Sequence, residues 1–161
     1  IDAFRALGWK VSGLHSPAIF VGGEKTGIAV ENLETGEVRQ LAVSDYKPDG
    51  LEDDPIHWTF DPQVMEWGNQ MFENSVPTDL LVVDELGPLE MKKGQGWLSG
   101  IAALDSRSYR QAILVMRPKL LELAQERWPW GKTIVIYRVD QVGEMVRELM
   151  RERERYGRGL E

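Results

Sequence analysis

The sequence predicts an α/β fold: a mostly parallel sheet flanked by helices, with an antiparallel β insertion near its N-terminal end. Three observations predict it. Residues 79–85 ("DLLVVDE") and 111–117 ("QAILVMR") are near-continuous apolar runs, the pattern of strands buried on both faces. Between and after them lie segments of helical pattern, and strand–helix alternation requires crossover connections and a parallel sheet. Upstream, short β-type runs are joined by Gly-Gly and Thr-Gly turns, which is a hairpin signature.

Taken in order, "IDAFRALGW" opens as the latter part of an amphipathic helix, with Ile1, Phe4, Ala6 and Leu7 apolar and Gly8 placed as its cap. Strands are predicted at 9–16, 18–23, 26–37 and 38–43, followed by an acidic loop over 44–58. Asp61 as N-cap and Pro62 at the first helical position start a helix within 60–76, with Val64, Met65, Met71 and Phe72 on its apolar face. Segment 96–106 is weakly helical, 118–128 is a helix opened by Pro118, 132–139 ("KTIVIYRV") is a third buried-type strand, and 140–156 is a last helix. All 161 residues are read as a single domain.

Composition narrows the function. A net charge of −7 gives no basic footprint, so nucleic acid is not an expected partner. No run approaches the ~18 apolar residues of a membrane span. Cysteine is absent, which removes disulfides and thiolate chemistry and is compatible with the cytoplasm, the expected location.

Two stretches imitate a phosphate loop, G-x-x-x-x-G-K-[ST], and neither is one. In "VGGEKTG" (21–27) Glu24 stands where glycine is required before Lys25, and a strand follows instead of a helix. This is read as a hairpin turn with Gly22 and Gly23 at positive φ. "WGKTIVI" (130–136) has Glu126 at the first glycine position and again runs into a strand pattern.

"LLVVDELGPLE" (80–90) is different. A buried strand delivers Asp84 and Glu85 to the carboxyl edge of a sheet, where open α/β folds bind ligands. In nucleotide hydrolases this is the Walker B arrangement. The aspartate supports Mg²⁺, usually through water, and the glutamate orients or deprotonates the attacking water.

That segment resembles the D-E-[IL]-G-x-[ML]-E motif of a small P-loop nucleoside-triphosphatase family first described from thermophiles. The stretch 8–37 is similar to the family's glycine-rich hairpin, T-G-[IF] strand and T-G-E turn. "WTFDPQVMEWGNQMF" resembles its helix before Walker B, and "AILVMRPK" the strand and basic position after it. The resemblance spans nearly the whole chain and implies a P-loop-NTPase-like fold hydrolysing ATP, GTP and other NTPs with Mg²⁺ as cofactor. It implies Asp84 as the metal-site residue, Glu85 as catalytic, and Arg117 as a nucleotide-contacting residue. Gly87 reads as a turn residue and Glu90 as structural, while Arg138 and Asp140 match the family's final turn only in part.

The family's phosphate loop has no counterpart in these residues. It is expected upstream of Ile1, with the first strand, and the 161 residues alone are expected to be inactive. The alternative is a non-catalytic relative acting as a binding or regulatory module, because Asp84 and Glu85 without a phosphate cradle repel a triphosphate.

The remaining candidates have plainer readings. Asp45, Asp49, Glu52, Asp53 and Asp54 lack calcium-loop spacing and form a solvated loop or lid. His15 and His57 share no ligand spacing and read as structural. Trp9, Trp58 and Trp67 are expected in the core; Trp128 and Trp130 flank Pro129 and are the candidates for stacking on a base.

Overall fold

A computed structural model describes residues 1–44 and 58–156. They belong to two compact units, Ile1–Arg127 and Trp128–Glu161. The acidic-loop residues and His57 lie outside the described residues.

The first unit is a seven-stranded mixed sheet with flanking helices. A short helix α1 (Asp2–Arg5) ends at Gly8, whose φ of +77° and N–H bond to the Arg5 carbonyl form the expected cap. Strand β1 (Val11–His15) leads to a hairpin of β2 (Ala18–Val21) and β3 (Glu24–Asn32). Gly22 and Gly23 turn it with φ of +61° and +90°, so "VGGEKTG" is a hairpin turn. Next come β4 (Val38–Ser44) and an unforeseen edge strand β5 (Trp58–Phe60).

Helix α2 (Pro62–Glu73) starts as predicted. The Asp61 carboxylate accepts from the N–H groups of Gln63 and Val64, and Pro62 occupies N1. Its inner face is Val64, Trp67, Gly68 and Phe72, of which Phe72 is fully buried. Strand β6 (Thr78–Leu86) carries Leu80 to Val83, all within 3% of full burial. Helices α3 (Pro88–Lys93) and α4 (Leu98–Ser106), strand β7 (Tyr109–Met116), a 3-10 turn at Pro118–Leu120 and helix α5 (Leu121–Arg127) complete the unit.

Sheet order is β5-β4-β3-β1-β6-β7, with β2 also paired to β3. Strands β1, β6 and β7 run parallel, and β2 to β5 form the antiparallel part. The parallel register pairs Val11 with Leu80 through Leu14 with Val83, then Leu80 with Gln111 through Asp84 with Val115. At Gly13 the chain takes φ of +105° and lies so close to β6 that a Cβ would sit 2.0 Å from the Val82 carbonyl oxygen.

Two expectations are corrected. The sequence reads β7 as buried, but most of its residues are half-exposed, because among the described residues it has a neighbouring strand on one side only. Segment 132–139 was read as a strand, yet 131–137 has no regular structure. A strand exists only by sharing a ladder, and the second unit contains no strand among its described residues. That unit consists of a 3-10 turn at Val139–Gln141 and helix α6 (Val142–Tyr156). Within it Gln141 Oε1 accepts from the N–H groups of Tyr137 and Arg138, and Lys132 pairs with Glu148.

Candidate active site

The parallel register sets where the chemistry-bearing residues converge. Strands β1, β6 and β7 are adjacent and codirectional, so their carboxyl ends share one edge of the sheet. From β1 come His15 and the following Ser16, from β6 Asp84 and Glu85, and from just beyond β7 Arg117. Open α/β sheets bind ligands at this edge.

Asp84 is held from the β1 side. Its Oδ2 accepts from the Ser16 N–H at 3.1 Å, and the Ser16 hydroxyl donates to the Asp84 carbonyl oxygen. His15 Nε2 stands 3.7 Å from the same Oδ2, while Nδ1 stands 3.5 Å from Glu31 Oε2. Glu31 reaches this point because β3 pairs it directly with His15 across an antiparallel ladder. The Asp84 side chain keeps 20% of its exposure, and its Oδ1 has no hydrogen-bond partner among the described residues.

Glu85 is held from the β7 side. The pairing of β6 with β7 slips between Asp84 and Leu86, making Glu85 an extra residue at the strand end. Such a bulge re-aims a side chain. The Glu85 carboxylate meets Arg117, with Oε1 accepting from Nη2 at 2.9 Å and from Nε at 3.3 Å. Of the three residues singled out in the sequence, Glu85 and Arg117 form an ion pair, and Asp84, next to Glu85 in the chain, is held from the other side.

Behind the acids, Glu90 fixes the turn that leaves β6. It is 8% exposed; Oε2 accepts from the Gly87 N–H at 2.7 Å and Oε1 from the Trp97 N–H at 3.0 Å. Gly87 is the N-cap of α3, with an extended backbone that any residue adopts. Of the other residues weighed, Arg138 and Asp140 pair with each other in the second unit, as 2.6 Å separates Nη2 from Oδ2. Trp128 and Trp130 also belong to that unit.

Sequence reasoning missed Ser16, His15 and Glu31 as companions of Asp84. One signal was present: a strand read at 9–16 in the same parallel sheet as 79–85 must end near it if the two are neighbours.

The arrangement can do two things. A hard oxygen donor with one free lobe suits a divalent cation, and a carboxylate beside a guanidinium suits handling water next to phosphate. Among the described residues no group of three or more His, Cys, Asp or Glu can cage a metal.

A search of curated proteins found no match. Among solved structures, the chain is similar in fold to THEP1 from the hyperthermophile Aquifex aeolicus, with 13% identity, 92% of this chain and 86% of that chain covered, and a TM-score of 0.56. The family model described as NTPase matches residues 1–127, the span of the first compact unit. The chain belongs to this family of small P-loop NTPases.

Proposed function

We propose that the protein is an Mg²⁺-dependent nucleoside triphosphatase that converts ATP, GTP and other NTPs to the diphosphate and phosphate. The observation that carries this reading is the Glu85–Arg117 ion pair next to Asp84 at the carboxyl edge of three adjacent parallel strands. Glu31, Asp84 and Glu85 put three carboxylates at this edge, against which a bare triphosphate is repelled. Asp84 is the Walker B residue that would hold Mg²⁺, and the bound ion neutralises charge on the phosphate oxygens.

The chain's own residues do the rest. Glu85 orients the attacking water and accepts its proton as the water oxygen bonds to the terminal phosphorus and the bridging oxygen leaves with the diphosphate. Arg117 contacts phosphate. It is held 2.9 Å from Glu85 Oε1, and a phosphate oxygen competes for the same guanidinium. Transfer of Arg117 to phosphate leaves the Glu85 carboxylate free for water. Base selectivity is weak, as in the family the sequence resembles. Lack of cysteine fits work in the reducing cytoplasm.

The test is phosphate release from ATP and GTP by the protein with whatever natural sequence precedes Ile1, with and without Mg²⁺. Release from both nucleotides that requires Mg²⁺ is expected. Arg117→Ala should raise KM about tenfold, the worth of about 1.4 kcal/mol for one charged hydrogen-bond partner. No release from any NTP leaves the binding or regulatory module in its place.

A further inference from the structure

We propose that Ser16 is a positioning residue for the cation site, locking Asp84 so that Oδ1 is left for the metal. This rests on the Mg²⁺ reading above and identifies what sets the site's geometry. Ser16 follows β1 and reaches a residue 68 positions away with two donors. The N–H donates to Oδ2 at 3.1 Å and the hydroxyl donates to the Asp84 carbonyl oxygen, so one residue fixes both the carboxylate and the main chain that bears it. Asp84 cannot turn about χ1 without giving up the Ser16 N–H.

His15 closes the same side. At 3.7 Å its Nε2 is too distant to hydrogen-bond Oδ2, but the imidazole fills the space between that oxygen and Glu31. Oδ1 is then the oxygen without a partner among the described residues. One tied oxygen and one free oxygen make a one-point ligand, direct or through water, as Mg²⁺ requires of a carboxylate. Hydrogen-bonded partners of a ligating group control its metal affinity by about 10–100-fold. Ser16 holds that place here.

The test uses Mn²⁺ as a paramagnetic stand-in, titrated by electron paramagnetic resonance into the protein with a non-hydrolysable ATP analogue. The protein again carries its natural sequence before Ile1. Ser16→Ala keeps the N–H bond to Oδ2 but loses the hydroxyl bond that fixes the Asp84 main chain, and should raise the Mn²⁺ Kd about tenfold. Ser16→Thr, which restores the hydroxyl donor to the Asp84 carbonyl, should return the Kd to the wild-type value, with urea unfolding of both variants showing that the change in affinity is not a change in stability. Should Ser16→Ala fail to fold, Ser16→Cys reads the same loss with a weak donor of similar size. An unchanged Kd in Ser16→Ala, a loss that Thr does not rescue, or a wild-type Kd that Asp84→Asn leaves unaltered overturns the assignment. If Mn²⁺ affinity follows Ser16 and Asp84 but no phosphate is released from NTPs, the hydrolase reading fails and the role of Ser16 stands.

Discussion

Asp84 and Glu85 are consecutive, yet the fold hands them to different neighbours. Asp84 is gripped by Ser16 beyond β1, and Glu85 is paired with Arg117 beyond β7. Identity and strand-end position were legible in "LLVVDE" from the apolar run and its acidic stop. The grip was not, because Ser16 and Asp84 are joined only by the parallel register, and no local periodicity reports a contact across 68 positions. Two other residues make predictions at this scale. Gly13→Ala meets both a φ of +105° and a carbonyl oxygen 2.0 Å from the new Cβ. It should cost about 3 kcal/mol or more by urea unfolding; a change within about 0.5 kcal/mol would show that β1 and β6 are not so closely apposed. Glu90→Ala strips the acceptor from the N–H groups of Gly87 and Trp97 and should cost about 2 kcal/mol or more, read the same way.

Elements were legible where their own residues determine them. Helix α2 declared itself through Asp61 and Pro62, and the structure has both; of the expected apolar face Val64 and Phe72 are buried, Met65 and Met71 are half-buried, and Trp67 and Gly68 complete the inner side. The Gly22-Gly23 turn followed from chemistry that only positive φ satisfies. Elements set by their surroundings were harder to read. Strand β7 has a core-like composition but, among the described residues, an edge position, and edge or centre is a property of the sheet, not of the strand. Segment 132–139 has strand composition without a ladder partner in its unit, so composition alone misled. Short α3 escaped because its six residues are organised by Glu90 rather than by periodicity. If α2 is the packing element the burial indicates, Phe72→Ala should cost about 3–5 kcal/mol and Asp61→Ala about 1 kcal/mol. A larger loss for Asp61→Ala than for Phe72→Ala, in the same unfolding series, would contradict that ranking.

At the scale of the molecule, the sheet, helices α1 to α5 and the site belong to Ile1–Arg127, the span that the NTPase family model matches. Residues 1–127 expressed alone should therefore unfold in one cooperative transition, checked by calorimetry; a broad melt would place part of their stability in the remainder. Among the described residues no helix is long and apolar enough to cross a membrane. The net charge of −7 leaves no overall basic field to draw in a polyanion. The central claim is that the edge shared by β1, β6 and β7 hydrolyses nucleotide through Glu85. The most direct measurement compares wild type and Glu85→Gln, each with its natural sequence before Ile1, for Mg²⁺-dependent phosphate release and for binding of a non-hydrolysable ATP analogue. Turnover abolished with binding retained is the predicted result; equal turnover in the two proteins, or binding lost while the fold persists, would contradict it.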